Sequence, residues 1–264
     1  MATRRWSDLA WPELAAQRDL GDGEVALVPV GATEQHGPHL PIGTDTIIAN
    51  ALCDAVSERT GAPVLPAIPV ACSYGHGTVL PGTLSLTPEM LAGVCRQYAE
   101  WAAISGLTRL LFVNSHFGNS AALGIATDHL RLYRPDLRVG VVDWWSIDPE
   151  VARECVLEGD DVHAHRAETS LMLAIAPDLV HLDRLSSADD PDRTGDLVFR
   201  YTAPALSTNG VTGRPSEATL ELGRRLLDLA VAAIADRVER GRVEKPPLGA
   251  APIPALGPYP SHLH

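Results

Sequence analysis

Glu34, His36 and Asp45 place two carboxylates and an imidazole in one short loop, Glu34-Gln35-His36-Gly37-Pro38-His39-Leu40-Pro41-Ile42-Gly43-Thr44-Asp45, directly after the apolar run Val25-Ala26-Leu27-Val28-Pro29-Val30. Glu34 and His36 are two positions apart, so extended backbone turns both side chains to one side. The glycines and prolines between them and Asp45 allow a bend that folds Asp45 back toward the pair. Carboxylates and imidazoles facing one another form the donor set of a borderline divalent cation such as zinc or manganese. A single Glu-x-His pair is common surface polarity. Three ligand-type side chains in one Gly/Pro-rich loop at a strand end tip the balance toward metal.

Two further segments carry groups of the same chemistry. Asn114-Ser115-His116-Phe117-Gly118-Asn119 follows the apolar run ending at Val113, and Asp160-Asp161-Val162-His163-Ala164-His165-Arg166-Ala167-Glu168 lies further on. Each has a plainer reading. A lone His116 after a strand more often bonds a neighbouring turn, and Asp160 and Asp161 read as loop solvation with no role. His163 and His165 alternate, so extended backbone turns at most one of them inward. Glu168 opens an apolar helix, where the helix dipole favours a carboxylate in any case. His39 is placed at the pocket wall and His129 in mid-helix, away from it. None of the three segments resembles a glycine loop that cradles phosphate. The metal reading therefore requires the three loops to converge, with substrate selection left to Tyr74, His76, Trp144, Trp145 and residues 186–214.

The elements between these loops supply a means of convergence. Strands are expected at Val25–Val30, at Arg109–Asn114 and at Leu137–Val142, with a short extended run over 64–70 broken by Pro66 and Pro69. Helices are expected over Thr46–Arg59, from a Thr87 cap with Pro88 at its first position to Ser105, over Asn119–Leu132, from Glu168, and as a long amphipathic helix over Ser216–Arg240. Alternating strands and helices imply a mostly parallel sheet flanked by helices. In such sheets ligands collect at the carboxyl ends of the strands, where the first two loops fall. Residues 1–245 are expected to form one domain and 246–264 an extended, proline-rich tail.

Composition removes several alternatives. The chain has 264 residues, 45% of them hydrophobic, enough for a substantial core. A net charge of −12 argues against a nucleic-acid partner, which needs a basic footprint. No apolar stretch has the length of a membrane span, the N-terminus lacks a signal-type apolar region, and Cys53, Cys72, Cys95 and Cys155 form no CxxC pair. The expectation is a cytoplasmic protein with reduced thiols and no membrane partner.

Four motifs in order, Pro29-Val30-Gly31-Ala32-Thr33-Glu34-Gln35-His36-Gly37 with Thr44-Asp45, Pro81-Gly82-Thr83-Leu84-Ser85-Leu86, Asn114-Ser115-His116-Phe117-Gly118-Asn119, and Glu168-Thr169-Ser170-Leu171-Met172-Leu173, resemble the creatininase family over about Trp6 to Arg240. The resemblance implies a three-layer α/β/α sandwich, a binuclear divalent-metal site and a ring-shaped homohexamer. Carried over by position, Glu34, His36, Asp45 and His116 are metal ligands, with Asp45 the bridge, and His163 is the catalytic histidine. Family members acting on creatinine have a glutamate where this chain has Gly118. The resemblance then makes Glu168 the replacement, as ligand and catalytic carboxylate. Those members also carry a tryptophan where this chain reads Glu158-Gly159-Asp160-Asp161, and Trp145 matches another pocket tryptophan. These departures argue against creatinine as substrate without touching the metal chemistry.

The implied cofactors are two divalent ions, Zn2+ first and Mn2+ or Fe2+ next. Their charge of about +4 against three carboxylates and a bridging hydroxide comes near zero, which a dry pocket tolerates. The implied activity is hydrolysis of a cyclic or non-peptide C–N amide bond in a small polar substrate by that hydroxide, with Trp145, Gly118, Tyr74 and His76 against the substrate. The alternatives are a peptidase of the mycofactocin precursor type, an amide-forming biosynthetic enzyme, and an inactive oligomeric scaffold.

Overall fold

The computed structural model describes residues 4–18, 23–77, 79–156 and 163–249. Glu158-Gly159-Asp160-Asp161 and the tail beyond 249 lie outside them. The sheet consists of β1 (Arg4–Arg5), β2 (Val25–Val30), β3 (Pro63–Val64), β4 (Arg109–Asn114) and β5 (Arg138–Asp143), paired in parallel in the order β1-β3-β2-β4-β5. Every residue of β2 is buried, as expected for a central strand covered on both faces. Its side chains alternate between two cores. Val25 and Leu27 meet Ile48, Leu52 and Val56 of α2 (Thr44–Thr60), Leu171 and Met172 of α6 (Arg166–Ile175), and Leu226, Ala230 and Ile234 of α8 (Leu220–Val243). Ala26, Val28 and Val30 meet Leu91, Cys95 and Ala99 of α3 (Pro88–Ile104), and Leu123, Ala126 and Leu130 of α4 (Ser120–Tyr133). Helices on both faces make the expected three-layer α/β/α arrangement. Shorter helices α1 (Trp11–Arg18), α5 (Pro149–Val156) and α7 (Ala203–Leu206) complete the described residues.

From β2 the chain passes to β3 on one side and then to β4 on the other. Strand order thus reverses between β2 and β4, and the carboxyl ends of these two strands flank the crevice where open parallel sheets bind ligands. Register brings Val30, Asn114 and Asp143 side by side at that edge. There the Asn114 amide donates to Asp143 (2.7 Å).

Several boundaries differ from expectation for identifiable reasons. The extended run over 64–70 pairs as a strand only at Pro63–Val64, since Pro66 and Pro69 have no N–H to donate; Ile68 alone returns to bridge Val30. The last helix starts at Leu220, because the Thr219 side chain caps it by accepting from Leu222 N (3.1 Å), while Pro215–Glu217 form a separate turn. The Thr87 cap on α3 is as read, accepting from Met90 N (3.2 Å). All four cysteines are buried free thiols. No helix among the described residues is long and apolar enough to cross a membrane.

Candidate metal centre

The three loops converge at the carboxyl edge of the sheet. Glu34 and His36 leave β2 on a loop closed by Glu34 N–H donating to Ile42 O (2.9 Å). Asp45 stands in the first turn of α2, where a 17-residue helix favours an anion. His116 follows β4, its own N–H held by the Asn114 side chain (3.1 Å), which also accepts from Asn119 (3.2 Å). The third loop arrives at His163, whose N–H and C=O both pair with Thr212 (3.1 and 2.9 Å).

The backbone between His163 and His165 is not extended. Ala164 has φ +52°, a left-handed conformation that costs a non-glycine residue about 1–3 kcal/mol. The turn sends both neighbours inward. His163 reaches the centre, and His165 is buried with Nδ1 3.3 Å from Glu168 Oε2. Ala164 N–H donates to the same oxygen (2.7 Å), fixing Glu168 over the start of α6.

The polar atoms of the centre are close and underserved. His36 Nε2 lies 3.4 Å from Asp45 Oδ1, His116 Nδ1 3.6 Å from Asp45 Oδ2, and His116 Nε2 3.2 Å from Glu34 Oε2. His163 Nδ1 and His76 Nε2 lie 3.6 and 3.0 Å from Glu34 Oε1. Both Glu34 oxygens, Asp45 Oδ2 and His36 Nε2 are buried without a well-formed hydrogen bond. Such atoms are costly unless something occupies the space between them. Glu34, His36 and Asp45 form one set able to hold an ion, and His36, His163 and Glu168 another.

Proton placement agrees with this. Backbone carbonyls take the outward N–H of His36 (Nδ1 to Glu34 O, 3.2 Å), of His116 (Nε2 to Cys72 O, 2.9 Å) and of His163 (Nε2 to Gln35 O, 2.7 Å). Each ring then turns its other nitrogen inward, the arrangement found in metal-ligating histidines. Burial pushes the Glu34 carboxyl up, but His116, His76 and His163 outweigh it and hold it below the usual range. Burial and the adjoining Glu34 charge raise Asp45 in spite of His36. Burial opposes charge on His36, yet Asp45 and Glu34 lift it to about 10, and the same carboxylates raise His116. The protons so taken up supply positive charge that a bound cation would bring instead, and cation binding expels them. Burial, then His76 and His36, push His163 well down, keeping it neutral.

The profile of the creatininase family, described as creatinine amidohydrolase, matches residues 7–238. The chain belongs to the creatininase family. It is 35% identical over 257 residues to the creatinine amidohydrolase of Pseudomonas putida, covering 91% of this chain and 96% of that protein. It is likewise 35% identical over 229 residues to the mycofactocin precursor peptide peptidase of Mycolicibacterium smegmatis, covering 84% and 87%. Two solved structures, one named Creatininase Mn and the other a mutant creatininase of Zn-Zn type, each superpose with TM-score 0.78 at 32% identity, covering 92% of this chain and 100% of theirs.

In this creatininase-family amidohydrolase the remaining expected residues are distributed unevenly. A Cβ on Gly118 would lie 2.2 Å from Cys72 O and 2.5 Å from His116 Nε2, so no side chain fits there without displacing His116. Trp145 is half-buried and stacks on Phe117 with centroids 4.1 Å apart, while Tyr74 is exposed. Trp144, expected beside the substrate, is instead buried in the core with Val151 and Cys155. His39 lies beneath the loop with Nε2 2.9 Å from Thr169 Oγ1, and His129 is on α4 against Arg96 (3.1 Å). The sequence reading passed over Gln35, whose alternation with Glu34 and His36 turns it to the opposite side, and Phe117. The fold brings the ring of His76 to 4.4 Å from that of His163.

Proposed function

We propose that this amidohydrolase cleaves the C–N amide bond of a small polar substrate at a centre of two divalent ions held by Glu34, His36, Asp45, His116 and Glu168, with Zn2+ preferred and Mn2+ or Fe2+ as alternatives. The observation that carries the reading is the set of buried, unsatisfied carboxylate oxygens and inward imidazole nitrogens facing one another. When bound, divalent ions supply a water acidified from a pKa of 15.7 to about 7 and a Lewis acid for the carbonyl oxygen.

The chain's own residues handle the proton. His163 Nδ1 is the bare, inward nitrogen of a neutral ring anchored through Nε2 on Gln35 O, so it takes a proton from the attacking water and passes it to the departing nitrogen. Such transfers contribute about 10² to 10⁴ in rate. Trp145, with Phe117 stacked on it, and Tyr74 offer flat apolar surface to the substrate, next to Gly118. Residues 1–245 form the catalytic domain in this reading, within a homohexamer. Peptide cleavage is the second reading, favoured by the equal 35% identity to the mycofactocin precursor peptide peptidase.

Metal content by plasma mass spectrometry, on protein dialysed without chelator, tests the centre. The expected result is about two equivalents per chain, lost in a folded Asp45→Ala variant together with turnover. Absence of metal after reconstitution with Zn2+, Mn2+ and Fe2+, or retention of metal and activity by the variant, overturns the assignment. Creatinine, cyclic amides and the mycofactocin precursor peptide, assayed side by side, separate the two substrate readings.

A further inference from the structure

Four imidazoles face Glu34 and Asp45, and His76 differs from the other three. It sits on the turn Tyr74–His76, its side chain 11% exposed, with Nε2 3.0 Å from Glu34 Oε1. By distance alone it groups with Glu34 and His163 as a possible ligand. Its proton placement argues otherwise.

The Gln35 side-chain amide is fixed in orientation by backbone partners on both ends. Gln35 Oε1 accepts from Gly37 N–H (3.0 Å), so that end is the oxygen, and Gln35 Nε2 donates to Gly210 O (3.0 Å). The second N–H of the same nitrogen meets His76 Nδ1 at 3.0 Å. A primary amide nitrogen only donates, so His76 Nδ1 accepts and the ring's hydrogen sits on Nε2. The nitrogen facing Glu34 therefore carries a hydrogen, whereas His36, His116 and His163 each give one N–H to a backbone carbonyl and turn the other nitrogen to the carboxylates. The seat is shaped for this amide. Gly210 has φ +87°, and a Cβ there would lie 1.9 Å from Gln35 Oε1.

We propose that Gln35 is a positioning residue that locks the His76 hydrogen onto Nε2, the nitrogen 3.0 Å from Glu34 Oε1, so that His76 presents a proton-bearing nitrogen to the centre and is not a metal ligand. Gln35 sets two rings at once, because its backbone carbonyl holds His163 Nε2–H while its side chain holds His76 Nδ1. One residue thus gives the centre a donor ring and an acceptor ring with centroids 4.4 Å apart. The use of these rings in hydrolysis rests on the proposed function; the proton placement does not.

Long-range proton–nitrogen correlation spectra of 15N-histidine-labelled protein read the tautomers directly, with rings assigned from His76→Gln and His163→Gln. In the wild type both rings are expected to carry hydrogen on Nε2. Adding Zn2+ should shift the inward nitrogens of His36 and His116 and leave His76 Nε2 protonated. Gln35→Glu replaces the amide donor with a carboxylate acceptor and is expected to move the His76 hydrogen to Nδ1, while His163, bonded to the backbone, keeps its tautomer. Gln35→Met removes the donor without supplying an acceptor and should leave His76 as a mixture, which keeps the test open should Gln35→Glu misfold. A wild-type His76 with hydrogen on Nδ1, a His76 insensitive to both variants, or a zinc-induced loss of the Nε2 hydrogen would overturn the proposal. The metal-free spectra answer whether or not the protein hydrolyses an amide, so failure here and failure of the proposed function are separable.

Discussion

Gly118→Ala adds one carbon to a position where there is no room for it. The new Cβ would meet Cys72 O at 2.2 Å and His116 Nε2 at 2.5 Å, against ordinary contacts of 3.4–4 Å. The backbone oxygen cannot retreat as a flexible side chain can, so His116 and Gly118 must separate from it by about 1 Å. Overpacking of this kind costs roughly 1–3 kcal/mol. The displacement also breaks the 2.9 Å bond from His116 Nε2 to Cys72 O, which orients the ring. Loss of such an orienting partner weakens metal affinity by about 10–100-fold. Urea unfolding of metal-free protein should therefore show a loss of about 2 kcal/mol, and competition with a chromophoric chelator a zinc affinity lower by at least about ten-fold. Gly124→Ala is the control. No neighbour lies within 4 Å of a Cβ there, it is inside α4, and alanine should stabilise the helix by about 0.5–1 kcal/mol. Gly118→Glu should lose affinity as Gly118→Ala does, since its carboxylate starts from the same displaced Cβ. A Gly118→Ala protein with wild-type stability and zinc affinity would refute the packing argument.

Two further expectations concern pH. The Asp190 carboxylate accepts from Thr208 N–H, Thr208 Oγ1 and Ser207 Oγ and pairs with Arg193; burial opposes these partners, which hold it down to about 2 from 3.8. At about 1.36 kcal/mol per pKa unit, Asp190→Asn should cost about 2 kcal/mol in urea unfolding above pH 3.8. That deficit should shrink as pH falls toward 2, and a deficit independent of pH over this window would contradict it. His39 is pushed from 6.5 to about 4, by burial first and the charge of His36 second. The unfolded chain therefore binds this proton first, so the contribution is complete above 6.5 and lost as pH falls through 4. Metal-free protein should lose about 3 kcal/mol over that window on this account, and His39→Gln, which keeps a partner for Thr169 and takes no proton, should flatten the loss in pH-dependent thermal melts.

The sequence made some elements plain and concealed others, according to how local their causes are. The Thr87-Pro88-Glu89 cap, the buried run of β4 and the chelating loop after β2 are decided by neighbours a few residues away. The extended run over 64–70 pairs only at its start because Pro66 and Pro69 remove ladder donors, a cause equally local. His163 and His165 were misjudged as an alternating pair because Ala164 adopts a left-handed turn that nothing in its residue type announces; its N–H bond to Glu168 and the pairing with Thr212 impose it. Gln35 was invisible for the opposite reason. Its partners Gly210 and His76 lie far away in sequence, and an amide between two candidate ligands carries no signal until the fold brings a histidine to it.

That separation bears on the order in which the protein is made. Gln35 waits for Gly210, 175 residues later, and for His163, 128 residues later, while His39 waits for Thr169 across 130. At roughly 5–20 residues per second, the loop bearing Glu34, His36 and Asp45 leaves the ribosome about 10–35 s ahead of the segment that completes its surroundings. A cation met early in that interval finds Glu34, His36 and Asp45 before His116 and His163 have followed, so it is held loosely and exchanges. Under the proposed metal reading, the choice among zinc, manganese and iron falls after the chain is released, when the finished cavity rather than the first loop determines which ion stays.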